Sequence, residues 1–153
     1  MQKVINKMKI RKMLPDDYEN IYDLWINTPG MGLNDIDDSR EGIEKYLRRN
    51  PETCFVGEKD GKIIGVILSG HDGRRGYIHH SAVSVTERNN RIGSCLVQHA
   101  MTALKSEGIN KVALIVFARN ENGNNFWEKQ GFSTRDDLNY RNKHINELKR
   151  IDT

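Results

Sequence analysis

The chain has 153 residues, with 24 Lys and Arg against 21 Asp and Glu for a net charge of +3. That length fits one domain over residues 1–153 with a core of its own, and so mild a charge lacks the basic stripe of a nucleic-acid binder. Two widely separated cysteines, Cys54 and Cys95, offer neither a zinc-ligand spacing nor a disulfide framework, so a reduced cytoplasm is expected and no metal.

Met1 to Met13 alternate Lys, Arg and Asn with isolated apolar residues, and the longest aliphatic run, Ile63 to Leu68, is short and contains Gly65. Neither a signal peptide nor a membrane span is expected. Ile10 to Met13 reads as a short edge strand. Pro15-Asp16-Asp17 then opens a helix through Leu24 and Trp25, since Pro suits a first helical position and acids suit the first turn. The segment from Asn27 to Asp38 breaks it. Asp38-Ser39-Arg40-Glu41 has the spacing of an Asp–Glu capping box, and Ile43, Tyr46 and Leu47 give a second helix its apolar stripe before Pro51.

Thr53 to Glu58 and Lys62 to Ser69 read as strands around Asp60-Gly61, a strong hairpin signal. Tyr77 to Val85 is a third strand. A helix from Arg91 puts Gly93, Leu96, Val97, Ala100 and Leu104 on one face until Gly108 stops it. Val112 to Phe117 follows as a buried strand, parallel to the third because a helix crosses between them. A short helix around Asn122 to Gln130 ends at Gly131, and weaker strand material runs on from Phe132.

The junction between the third strand and its crossover helix carries the most chemistry. A helix start leaves backbone N–H groups unpaired and partly positive, so a turn of small or left-handed-tolerant residues lets them converge on a pyrophosphate. Arg88, Asn89, Asn90, Arg91, Ile92, Gly93 and Ser94 form that turn. Arg88-Asn89-Asn90-Arg91-Ile92-Gly93 resembles the pyrophosphate turn of the GCN5-related N-acetyltransferase (GNAT) superfamily, Gln/Arg-x-x-Gly-x-Gly/Ala, with Arg91 in place of the first glycine. Asn120 to Phe132 is similar to the family's Asn-x-x-Ala-x-x-Phe-Tyr-x-x-x-Gly-Phe segment, with Gly123 in the Ala position and Trp127 in the Tyr position.

The resemblance covers essentially the whole chain. It implies a mixed α/β fold: a twisted, mostly antiparallel sheet with a parallel, splayed strand pair and about four flanking helices. It implies acetyl-CoA as cosubstrate, with Val83, Ser84 and Val85 pairing their backbone with the pantetheine arm, the Arg88–Ser94 turn holding the phosphates, and Asn120, Phe126 and Trp127 completing the site. The reaction it implies is direct attack of an amine on the thioester.

An alkyl ammonium has a pKa of about 10.4, so a base must take its proton. His79, on the strand before the turn, is the leading candidate, with Glu87 as the other; a packed structural histidine is the competing reading. His80, adjacent in the strand, is expected on the opposite face against a helix, which argues against a metal held by the pair. Family members commonly protonate the thiolate with the phenol that Trp127 replaces, and Tyr140 is the candidate to supply it or to contact substrate. Within Thr28 to Asp38, which the fold places beside the acetyl group, Met31, Leu33, Asp35 and Asp37 are the candidates for contact with the acceptor. The expected function is transfer of acetyl to the primary amine of a small molecule or a protein, with no nucleic-acid or membrane partner. A non-catalytic acyl-CoA-binding or sensory module of the same fold is the rival, and pairing of two chains as a homodimer is left open.

Overall fold

The structure is a computed structural model, and it describes residues 8–152. Residues 1–7 of the stretch read for a signal peptide lie outside the described residues. Strand β1 (Lys9–Lys12) leads through a turn of 3₁₀ helix at Pro15–Asp17 into α1 (Tyr18–Ile26), followed by α2 (Arg40–Arg49). Strands β2 (Phe55–Lys59), β3 (Lys62–His71) and β4 (Gly76–Val83) come next, then α3 (Ile92–Ser106), β5 (Val112–Leu114) and α4 (Glu121–Lys129). One five-stranded sheet runs in chain order, antiparallel throughout except for the parallel pair β4–β5. No helix among the described residues is long and apolar enough to cross a membrane.

Period-2 alternation in the strands sends alternate side chains to opposite faces, and each face is covered by helices. Val56, Val66, Leu68 and Ala82 pack with Ile21 and Trp25 of α1 and with Ile43 and Leu47 of α2. Phe55, Ile64, Ile67 and Ile78 pack with Ile92, Leu96, Val97 and Ala100 of α3, and Phe126 and Trp127 of α4 close over that cluster. The β2–β3 hairpin turns at Asp60 and Gly61, with φ of 53° and 74°, the left-handed pair that Asp-Gly favours.

Three expectations are corrected. Ser39, not Asp38, caps α2: its Oγ accepts from the Gly42 N–H at 3.0 Å, because the Asp38 carboxylate is already engaged elsewhere. Strand β5 is shorter than Val112–Phe117 and only half-buried; its partner β4 stays with β3 beyond Ile78, so Ile115 has no ladder to join and is 58% exposed. The residues after Phe132 form no strand, apart from a single bridge between Asn34 and Arg150. Of their apolar side chains, Leu138, Tyr140 and Ile145 find no face to pack on and stand exposed.

That final segment is fastened to the loop between α1 and α2. The Asp152 carboxylate accepts from three successive backbone N–H groups, Met31, Gly32 and Leu33, at 2.5–3.2 Å. Lys149 N–H donates to Asp35 Oδ1 at 2.7 Å, and the Ile151 N–H donates to the Leu33 carbonyl at 3.0 Å. Hydrogen bonds to a charged acceptor contribute more than neutral ones, so Asp152→Ala is expected to cost about 1–3 kcal/mol, read as a lower urea midpoint. Amide exchange at Met31, Gly32 and Leu33 is expected to quicken in that variant; unchanged protection there would contradict the role given to this carboxylate.

Candidate functional site

The site is built where β4 and β5 part. Their register runs Gly76–Val112, Tyr77–Ala113 and Ile78–Leu114 and then stops. Beyond that point β4 remains paired with β3 (His79 with Leu68, Ala82 with Val66, Val83 with Gly65), while the chain after Leu114 swings away. Phe117 leaves the sheet to pack beneath Gly30 and Gly32 of the α1–α2 loop, with the guanidinium groups of Arg119 and Arg150 over its ring at 4.5 and 5.3 Å. A fork open to solvent results.

At the β4 side of the fork, residues 84–91 turn the chain into α3. The Ser84 N–H donates to the Ile64 carbonyl at 2.8 Å and is thereby committed to β3. Asn89 and Arg91 adopt left-handed φ of 70° and 61°, a conformation that suits Asn well and Arg poorly. Arg91 caps α3 without using its side chain; its carbonyl accepts from the Cys95 N–H at 3.0 Å. Among the described residues no protein acceptor takes the N–H groups of Ile92, Gly93 and Ser94. These are the orphan donors that every α-helix leaves at its start, here gathered beside the fork.

Gly93 has a packing reason beyond close approach of a ligand. A Cβ there would lie 3.1 Å from two ring carbons of Phe126, so the glycine lets α4 seat against the first turn of α3. Gln130 Nε2 adds a hydrogen bond to Ser94 Oγ at 2.9 Å. Trp127 packs edge-on between Phe126 and Phe132, with centroids 4.9 and 5.3 Å away, and Asn120 uses its Oδ1 to cap α4 at the Gly123 N–H. Asn120 thus heads α4, whereas Phe126 and Trp127 lie toward its other end against α3.

The two histidines depart from strand alternation. His80 has φ of 40°, inside a register shift in which residues 80 and 81 bulge between the Leu68–His79 and Val66–Ala82 pairs. Both rings consequently lie on the α1–α2 face, 6.2 Å apart, and not on opposite faces. His80 packs edge-to-face with Trp25 at 5.2 Å, and its Nε2 lies 2.7 Å from Asp38 Oδ1. This Asp38–His80 pair is invisible to a period-2 reading, which assumes an unbroken strand. His79 is exposed to solvent on one side and flanked on the other by the rings of Tyr46 and Tyr77, at 5.7 and 4.5 Å. Desolvation by those neighbours, then repulsion from His80, lowers its pKa from 6.5 to about 4, against the opposing pull of Asp38 and Asp37.

The other sequence candidates are scattered around this centre. Glu87 pairs with Lys59 at 3.1 Å, on the sheet side of the turn into α3. Tyr140 is 66% exposed on the final segment, and its proximity adds to the burial that raises the Tyr77 phenol. Leu33 is a core residue, 1% exposed, and so cannot reach an acceptor. Met31 is half-buried, Asp35 accepts from Lys149, and Asp37 accepts from Asn34 Nδ2 at 3.1 Å. Cys54 is buried, its thiol donating to the Ser69 carbonyl and pushed up to about 12 by burial. No group of three His, Cys, Asp or Glu side chains gathers as metal ligands would among the described residues.

A sequence profile of the Acetyltransferase (GNAT) family matches residues 18–132. An acetyltransferase from Pectobacterium atrosepticum is 30% identical over 129 residues, covering 84% of this chain and 90% of that one. One from Sodalis glossinidius is 28% identical over 131 residues, covering 86% and 91%. Among solved structures, Ard1 from Thermoplasma volcanium superposes with a TM-score of 0.74 at 23% identity, covering 82% of each chain. The PaiA N-acetyltransferase from Thermoplasma acidophilum, solved in complex with coenzyme A, gives 0.71 at 19% identity, covering 85% of this chain and 92% of that one.

The His79 shift carries a sign. A histidine whose pKa is lower folded than unfolded supports the folded state fully above about 6.5 and loses that support as pH falls toward 4. The His79 ring resonance is expected to titrate with a midpoint near 4, and His79→Gln to flatten the loss of stability across that interval. A midpoint at the ordinary value of 6.5 would contradict the desolvation described.

Proposed function

The chain belongs to the acetyltransferase (GNAT) family, and on that basis we propose that it transfers acetyl from acetyl-CoA directly to the primary amine of a small-molecule or protein acceptor. The observation that carries this reading is the fork between β4 and β5 with the unpaired N–H groups of Ile92, Gly93 and Ser94 at its rim. A pyrophosphate fits such donors, and an extended arm fits alongside a strand whose neighbour has left it. The Thermoplasma acidophilum relative holds coenzyme A on the same fold.

In this reading residues 83–85 flank the pantetheine arm, Arg88 and Arg91 add charge beside the phosphates, and Asn120, Phe126 and Trp127 close the site from the α4 side. Three demands follow for the chain's own groups. A base takes the ammonium proton, a placed donor meets the oxyanion, and the departing thiolate receives a proton. Trp127, half-buried edge-on between two phenyl rings, serves packing; the exposed phenol of Tyr140 is the group proposed for the thiolate or the acceptor. The protein is taken as one domain working in the cytoplasm, where Cys54 and Cys95 stay free thiols.

A non-catalytic acyl-CoA-binding module is the second reading, and the absence of a phenol at Trp127 is what favours it. Thiol release from acetyl-CoA, followed over polyamines, amino sugars, lysine peptides and free peptide N-termini, decides between them. Turnover with at least one class is expected. Coenzyme A binding with no thiol release across the panel would instead support the module. Gly93→Val, which forces Phe126 off the first turn of α3, is expected to weaken coenzyme A at least ~10-fold, measured by calorimetry.

A further inference from the structure

We infer that His80, oriented by Asp38, is the base that accepts the acceptor's proton; the inference rests on the acetyl-transfer reading above. His80 lies two residues beyond Ile78, the last β4 residue paired with β5, and so stands at the point where the strands part. Its left-handed backbone is a strained conformation for a non-glycine residue, and such strain persists only where surrounding structure enforces it. Here the Trp25 indole N–H donates to the His80 carbonyl at 3.1 Å, and the Trp25 ring packs on the imidazole.

Asp38 is the second hold. It is 3% exposed, with Oδ1 2.7 Å from His80 Nε2 and Oδ2 accepting from the Asn34 N–H at 2.8 Å. The Tyr18 hydroxyl donates to the Asp38 carbonyl at 2.8 Å, fixing the backbone behind it. A carboxylate offers only acceptors, so Nε2 carries a proton, and in the neutral ring Nδ1 is then the nitrogen with the lone pair. Nδ1 has no hydrogen-bond partner among the described residues, and no side-chain nitrogen or oxygen is buried unpaired, so this lone pair reaches the solvent side. The arrangement is that of an acid-oriented imidazole: a buried carboxylate on one nitrogen and an open lone pair on the other. His79 has no carboxylate bonded to its ring among the described residues.

The protons balance simply. An ammonium acceptor gives one proton to Nδ1 and becomes nucleophilic; the C–N bond then forms, the C–S bond breaks, and the second nitrogen proton leaves to the thiolate or to water. His80, now an imidazolium held against Asp38, returns its proton to solvent. The titratable groups around it are Asp38 and Asp37 of the loop and His79 of its own strand. Tyr18 of α1 acts through the Asp38 carbonyl, and Tyr46 of α2 through the His79 ring.

His80→Gln retains a donor for Asp38 but cannot take up the proton. With the amine found active in the thiol-release panel, it is expected to lower kcat by ~10²–10⁴-fold at neutral pH with coenzyme A affinity unchanged. Its remaining rate is expected to climb with the fraction of free amine toward the amine's own pKa. Asp38→Asn is expected to lower kcat less and to mix the ring tautomers, seen in long-range ¹H–¹⁵N spectra that show only the Nε2–H form in the unmodified protein. Equal turnover by His80→Gln and the unmodified protein, or an Nδ1–H tautomer in the latter, overturns the inference. An unmodified protein that binds coenzyme A yet releases no thiol fails differently, sinking the acetyl-transfer reading and this role with it.

Discussion

The structure depends on one competition for hydrogen bonds: beyond Ile78, β4 pairs with β3 and abandons β5. A strand can keep two neighbours only while both follow its twist, and the bulge at His80 re-aims β4 toward β3 at the point where β5 ends. The opening is then kept by packing on both faces. Ile92, Leu96 and Val97 anchor α3 beneath β3 and β4, which fixes where its first N–H groups point. Trp25 and Ile21 anchor α1 on the other face, which fixes the bulge itself. A fork with donors on one side and an imidazole on the other thus follows from where the sheet can and cannot close.

The loop between α1 and α2 is the second constraint, and it is held at both ends by carboxylates. Asp38 joins its C-terminal end to His80, while Asp152 gathers Met31, Gly32 and Leu33 at its start. Between them Asn34 Oδ1 accepts from the Ile36 and Asp37 N–H groups, satisfying that stretch of the loop's backbone from within. The acids that the sequence offers as acceptor contacts are thereby largely spent on structure. Under the proposed acetyl-transfer reading, acceptor recognition on this face is assigned instead to what remains open: the Nδ1 edge of His80, the half-buried Met31 and the phenol of Tyr140.

Much of this was readable from residue order because the local signals were strong and agreed with the tertiary demand. Asp60-Gly61 forced its hairpin, the spacing of Leu96, Val97, Ala100 and Leu104 forced α3 onto the sheet, and Gly131 ended α4. The failures share a cause: each needed a long-range partner to resolve. Asp38 carries the spacing of a cap, yet a histidine 42 residues away claims its carboxylate and leaves the cap to Ser39. His79 and His80 alternate on paper, but a left-handed residue held by Trp25 puts both on one face. Val112–Phe117 is apolar enough for a buried strand and still stops at Leu114, because a strand's length is set by its neighbour as well as by its own side chains.

Capture of a diphosphate by backbone donors at the start of α3 is the claim on which the functional account stands. Titrating ¹⁵N-labelled protein with coenzyme A and following every amide tests it directly. The account expects the largest downfield shifts at Ile92, Gly93 and Ser94, with Val83 and Val85 following as the arm lies along β4. Shifts confined to the groove between β2 and α3, around Phe55 and His99, or no saturable shift at those three amides, would contradict it.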